Sequence, residues 1–260
     1  MRQRASQILP LDAFVTLPPG SFRRRTETAA LQEVTLTRPL CWQATPVTVG
    51  LYRRYLADTR SDDDPQLEVW DGQWRPGPSF TEANRHGLDI PVVGVSHRDA
   101  AHFLAWLRDR DRRGYRLPTE AEFEYAARGG CSCALTCHGH VLPRRRPPRA
   151  WPDGLLQCWA EATRQPNAYG IYGLAGVLWH WCSDWYAPYP GMPHVIDPSG
   201  PETPPENSEW KGRILPAGRV IRGGSFSYPE HYGHCTNRHF SFENDRNVNL
   251  GFRVVFESDH

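Results

Sequence analysis

The feature that most constrains this chain is its C-terminal end. There Arg222-Gly223-Gly224-Ser225-Phe226 and Gly251-Phe252-Arg253-Val254-Val255 bracket a stretch with no apolar period. A core segment would repeat apolar residues at the period of a strand or a helix. Here His231, His234 and His239 mix with Tyr228, Tyr232, Phe240 and Phe242, with Ser241, and with the amides Asn237, Asn244, Asn247 and Asn249. Rigid ends around a chemically varied middle suit a recognition surface, because Tyr and His offer large contact area with few rotamers to freeze. These residues form the candidate ligand-binding set. The competing reading makes Phe240 and Phe242 core residues of a strand.

The remaining punctuation points to irregular architecture. With 24 Pro, 22 Gly and 10 Trp, few periodic runs survive, so loops pinned by large aromatic side chains are expected rather than a helix bundle. The expected fold is α+β and loop-rich. A single domain over residues 1–260 is expected, with loop insertions at about 59–90, 131–165 and 196–216.

A formal net charge of +1 argues against a phosphate-tracking groove, so no nucleic-acid partner is expected. The basic run Arg144-Arg145-Arg146 with Arg149 reads as a solvated loop. Neither a secretory pattern nor a long apolar run occurs, so a cytoplasmic protein without a membrane span is expected. Seven cysteines then read as reduced thiols. Cys131, Cys133, Cys137, His138 and His140 offer soft and borderline ligands, but their spacing matches no common zinc finger; they are weak zinc candidates, and no metal or other cofactor is expected.

Local patterns place several elements. Phe14 to Leu17 and Glu33 to Thr37, either side of a Pro-Pro-Gly turn, read as an opening hairpin or two edge strands. Thr48 caps a helix bearing Val49, Tyr52, Tyr55 and Leu56. Ser96 and Asp99 form a capping box before the stripe Ala100, Phe103, Leu104 and Leu107, which should end near Arg112-Arg113-Gly114. Thr119 and Glu122 form another, with Gly129 as the stop. No periodicity appears in 131–165, and the main sheet is expected from 167–186 and 220–256.

The run from Arg116-Leu117-Pro118-Thr119-Glu120 through Ala126-Ala127-Arg128-Gly129-Gly130 strongly resembles the formylglycine-generating enzyme family, also called sulfatase-modifying factors. Pro46-Val47-Thr48, Pro91-Val92-Val93-Gly94-Val95-Ser96, the block from Gly170 to Trp181, Arg222-Gly223-Gly224-Ser225 and Gly251-Phe252-Arg253 follow in the family's order. The resemblance implies a C-type-lectin-like fold. For the family's enzymes it also implies two copper-binding cysteines after Gly-Gly-Ser, which activate oxygen. Between Ser225 and Gly251 this chain has only Cys235, and Tyr228 and Gly233 stand nearest the expected thiols. One thiolate is a weak Cu(I) site. The family's calcium block, Gly-Asn-Val-Trp-Glu-Trp, reads here Gly176-Val177-Leu178-Trp179-His180-Trp181, without the oxygen ligands calcium needs.

The tail best resembles that of diversity-generating retroelement variable proteins, in which Asn codons drift at adenines while a Gly, Arg and Ser frame persists. His239, Phe240, Ser241, Phe242, Asn247, Val248 and Asn249 are all reachable from Asn codons in this way. The expected function is non-catalytic binding of a protein or other macromolecular ligand through the C-terminal segment. The alternative is an oxidase of the formylglycine-generating enzyme or non-haem metal type, since one branch of the family matures pyoverdine chromophores without the cysteine pair. Arg222, Arg238, Arg246 and Arg253 are expected to fasten loops through acids or carbonyls. Trp179, Trp181 and Trp185 are expected in the core, with Cys182 inert among them.

Overall fold

Three consecutive arginines, Arg23, Arg24 and Arg25, close a strand that hydrophobic periodicity does not signal. In the computed structural model, which describes residues 13–70, 72–131, 149–210 and 213–258, this strand is β2 (Gly20–Arg25). It alternates, with Phe22 and Arg24 turned inward. Arg24 tolerates burial because Gln32 Oε1 accepts from its Nε and Nη2 at 3.0 and 2.8 Å, while its guanidinium lies 3.5 Å from the centroid of the Tyr189 ring. A buried charge with its donors satisfied avoids most of the desolvation cost.

The opening hairpin therefore differs from expectation. β2 pairs antiparallel with β3 (Leu31–Leu36), and β1 (Phe14–Leu17) pairs with β4 (Leu40–Gln43). The Pro-Pro-Gly segment links two different sheets. One is β1-β4-β14, with β14 at Val255–Glu257; the other is β2-β3-β8, with β8 at His194–Ile196. The central four-stranded sheet runs β12-β11-β7-β13, built from Arg238–Ser241, Arg219–Arg222, Trp179–Trp185 and Leu250–Gly251 respectively.

Both capping boxes form as the sequence suggests. Ser96 opens α3 (His97–Asp111) and Thr119 opens α4 (Glu120–Arg128), each exchanging hydrogen bonds with the acid three residues on. Gly129 ends α4 at φ 54°, whereas α3 ends on Arg112 at φ 56°, a left-handed conformation that glycine adopts more cheaply. Thr48 caps α1 (Val49–Thr59). Tyr52 of α1 stacks on Phe103 of α3 at 5.6 Å, and Phe103 meets Phe252 edge-on at 5.2 Å. That aromatic cluster is one core; Trp42 and Phe123 centre a second between the sheets and α4.

The expected insertions carry more structure than their composition suggests. Within 59–90 lie the hairpin β5 (Gln66–Trp70) and β6 (Trp74–Ser79), then the short α2 (Phe80–Ala83). Within 131–165 lies α5 (Asp153–Ala162), which buries Leu155, Cys158 and Trp159 at helical spacing. The segment 196–216 contains a small hairpin of β9 (Ser208–Trp210) and β10 (Arg213–Leu215). Cys131 is disulfide-bonded, correcting the expectation of reduced thiols at that position. The other weak zinc candidates, Cys133, Cys137, His138 and His140, lie outside the described residues. No helix among the described residues is long and apolar enough to cross a membrane.

Candidate ligand-binding site

The C-terminal segment is fastened by guanidiniums. Arg222, the last residue of β11, is fully buried and donates to Glu124 at 2.8 Å, Glu120 at 3.3 Å and the Cys235 carbonyl at 2.7 Å. Arg238 opens β12 and grips Glu120 at 2.7 and 2.8 Å, with Glu27 at 2.5 Å. Arg246 forms a bidentate pair with Asp99 of the α3 capping box, both contacts at 2.9 Å. Glu120 and Glu124 sit one helical turn apart on α4, which aims both carboxylates at β11. Burial opposes ionisation of Glu120, yet Arg238 and Arg222 hold its carboxyl below the usual range.

Arg253 is buried without a carboxylate partner. It donates to the carbonyls of Gln43 and Ala44 at 3.3 and 3.2 Å, to that of Tyr172, and to His180 Nε2 at 3.3 Å. Burial pushes its pKa down to about 9, which leaves it charged at neutral pH. All four arginines thus fasten loops through acids or carbonyls, as expected. Trp179 and Trp181 are buried, Trp185 is half-buried, and burial raises the Cys182 thiol well above its ordinary value, so that sulfur stays protonated.

Close backbone approach sets the bend after β11. Gly224 sits at φ +67°, and a Cβ there would meet the carbonyl of Tyr232 and the Gly233 nitrogen at 2.6 and 2.7 Å. The strand end thereby abuts a 3-10 turn over Glu230–Gly233.

Between these fixings the candidate residues divide. His231, His234, Phe242 and Asn244 are exposed, while Tyr228, Tyr232, Asn237 and His239 are half-buried. Four others are corrected. Phe240 is 7% exposed, packed against Tyr186 with ring centroids 5.0 Å apart. Ser241 is buried and donates to Asp245. Asn247 and Asn249 are buried, the first in backbone register with Glu68 and the second donating to Ser227 Oγ at 2.8 Å. In this segment the second half of β12 and the run 247–250 turn into the interior, which the mixed composition conceals.

The sequence reading left out an aromatic neighbour. Trp70 and Trp74 face each other across the β5–β6 turn, with ring centroids 5.0 Å apart. Trp70 stacks on Tyr228 at 5.9 Å and 13°, Tyr228 meets Tyr232 at 5.2 Å, and Trp179 backs both tyrosines at 5.6 and 6.1 Å. Two tryptophans flanking a tight turn were the available signal, but only the fold shows what they touch.

Neither metal site fits these residues. Tyr228 stacks between rings, Gly233 carries no side chain, and among the described residues no three His, Cys, Asp or Glu side chains gather to hold a metal ion. At the calcium block, Val177 is buried and His180 faces the positive charge of Arg253, a poor setting for a cation.

A model of the sulfatase-modifying factor enzyme 1-like domain matches residues 2–258. The chain belongs to this family. The formylglycine-generating enzyme of Streptomyces coelicolor is 34% identical over 189 residues, covering 65% of this chain and 53% of the relative. The chain spans about half the length of the curated relatives it matches. Among solved structures, the sulfatase-modifying factor fold of this chain superposes on PvdO from Pseudomonas aeruginosa with a TM-score of 0.66 at 23% identity, covering 95% of each chain. Treponema denticola variable protein 1 gives a TM-score of 0.63 at 19% identity, covering 94% of this chain and 95% of that one. The α+β, C-type-lectin-like fold expected from the resemblance is therefore the observed one.

Proposed function

We propose that this chain is a non-catalytic binding domain that displays its C-terminal segment to a protein or other macromolecular ligand, in the manner of a diversity-generating retroelement variable protein. The observation that carries this reading is the exposure of His231, His234, Phe242 and Asn244 between the clamps of Arg222, Arg238 and Arg246. A stiff frame lowers the ordering cost of binding, and the exposed positions can change without disturbing the clamps. The misfit of the copper site supports the same reading.

The test is a surface-displayed library randomised at His231, His234, Asn237, Phe242 and Asn244, scored for folding and then for selection on a panel of unrelated proteins. Most members should fold, and binders should emerge. General unfolding of the library would sink the proposal. So would oxygen consumption with formylglycine formation when the copper-loaded protein meets a cysteine-containing sulfatase peptide, and that result would establish the oxidase alternative.

A further inference from the structure

Rings in this chain are repeatedly covered by its own guanidiniums. Arg24 and Arg238 lie over Tyr189 at 3.5 and 4.0 Å, Arg110 over Trp106 at 4.7 Å, and Arg219 over Trp185 at 3.5 Å. Among the described residues, none lies over Trp70, Trp74, Tyr228 or Tyr232, although Trp74 is 48% exposed. A ring face is an electrostatically negative surface that attracts a cation.

The surroundings are negative as well. Glu68 stands two residues before Trp70 on β5, hence on the same face of the strand. Burial first, and the charge of Asp245 second, raise its carboxyl pKa. Among the described residues, Asp245 itself accepts from neutral donors only, Ser241 Oγ and the Phe242 N–H at 2.8 Å. Arg246, next to Asp245 in sequence, is committed to Asp99, and Arg75, next to Trp74, alternates to the other face of β6. Asn247, in register with Glu68, keeps a buried Oδ1 without a hydrogen-bond partner among the described residues. Two acids and the exposed ring of Trp74 therefore lie where the β5–β6 hairpin abuts the C-terminal segment.

We propose that this aromatic and acidic face receives a Lys or Arg side chain of the macromolecular partner, stacked on Trp70 and Trp74 and paired with Glu68. The inference rests on the display reading for the existence of that partner, and it adds the partner's charge and a docking wall outside the C-terminal segment.

The experiment titrates the full chain at low ionic strength with a hexa-arginine peptide and, separately, with its hexa-citrulline counterpart, which has the same shape without the charge. Tryptophan fluorescence reports binding. The arginine peptide should saturate the signal, the citrulline peptide should not, and Trp74→Ala and Glu68→Gln should each weaken binding by about tenfold. Near-ultraviolet circular dichroism checks that both variants stay folded. Equal binding of the two peptides, no saturable response to either, or indifference to both substitutions would overturn the inference.

A second arm separates the two readings. If binders selected from the display library lose affinity on His234→Ala or Asn244→Ala but ignore Trp74→Ala and Glu68→Gln, the cation site falls and the display reading stands. If the arginine peptide depends on Trp74 and Glu68 while no position of the C-terminal segment affects any partner, the cation site stands and the display reading falls.

Discussion

At the scale of single residues, two buried titratable groups pull stability in opposite directions. Burial, reinforced by Glu120, pushes the Asp184 carboxyl up to about 7. Its contribution is present at acid pH and is lost as pH rises from about 4 through 7. Burial, with Arg219 nearby, lowers His97 to about 4. Its contribution is present above pH 6.5 and is lost as pH falls towards 4. Between pH 4.5 and 6.5 the two slopes largely cancel. Urea unfolding should expose each by removing the other: stability of Asp184→Asn should rise with pH across this window, while that of His97→Gln should fall, each by on the order of 1–2 kcal/mol. Matching slopes in the two variants would contradict the assignment. Asparagine is the informative replacement, because its carbonyl can still accept the Glu120 N–H now held by Asp184 at 2.9 Å.

Phe240 and Phe242 make the second comparison. Both fit the composition of a recognition surface, yet one is buried and the other is 37% exposed. Phe240→Ala should cost about 3–5 kcal/mol in a denaturant titration, and Phe242→Ala less than about 1 kcal/mol. The competing core reading was therefore right for Phe240 alone. Phe240 lies within β12 against Tyr186, whereas Phe242 falls just past the strand's end at Ser241, a boundary that composition does not mark.

At the scale of elements, legibility followed locality. The caps of α3 and α4 depend on side chains three residues apart, so Ser96, Asp99, Thr119 and Glu122 announce them directly. β2 depends on Gln32 across the hairpin and on Tyr189 accommodating Arg24, and no local window contains Tyr189. The apolar spacing of α5 lies beside a Cys-, Pro- and Arg-rich run that swamps it. Differential scanning calorimetry should show the same division of local from distant effects. Ser96→Ala and Thr119→Ala should each cost about 1 kcal/mol. Gly224→Ala should cost more than either, since it adds a left-handed penalty to a Cβ placed 2.6 Å from Tyr232 backbone. A Gly224→Ala protein as stable as the parent would refute the close packing after β11.

At the scale of the whole molecule, the family, its fold and the arginine frame were readable because ordered blocks run from one end of the chain to the other. The aromatic face was not, since Trp70 and Tyr228 meet only through the tertiary fold. The frame should set the opening energetics of the molecule. In hydrogen exchange, amides of β11, β7 and α4 should exchange slowest, and those of residues 231–237 fastest. Glu124→Gln should accelerate exchange in β11 far more than in α1, because it weakens the charge facing Arg222, and leaving a buried charge underpaired is costly. Uniform acceleration throughout would mean that the ion network has no local hold on β11.

Arg238 grips Glu120 from α4 and Glu27 from the β2–β3 turn at once. On the display reading proposed above, Arg238 has to stay fixed while exposed positions around it vary, because its acceptors Glu120, Glu27 and the Ala187 carbonyl all lie outside the displayed segment. Sister copies should show drift at 231, 234 and 244 around an unchanging 238.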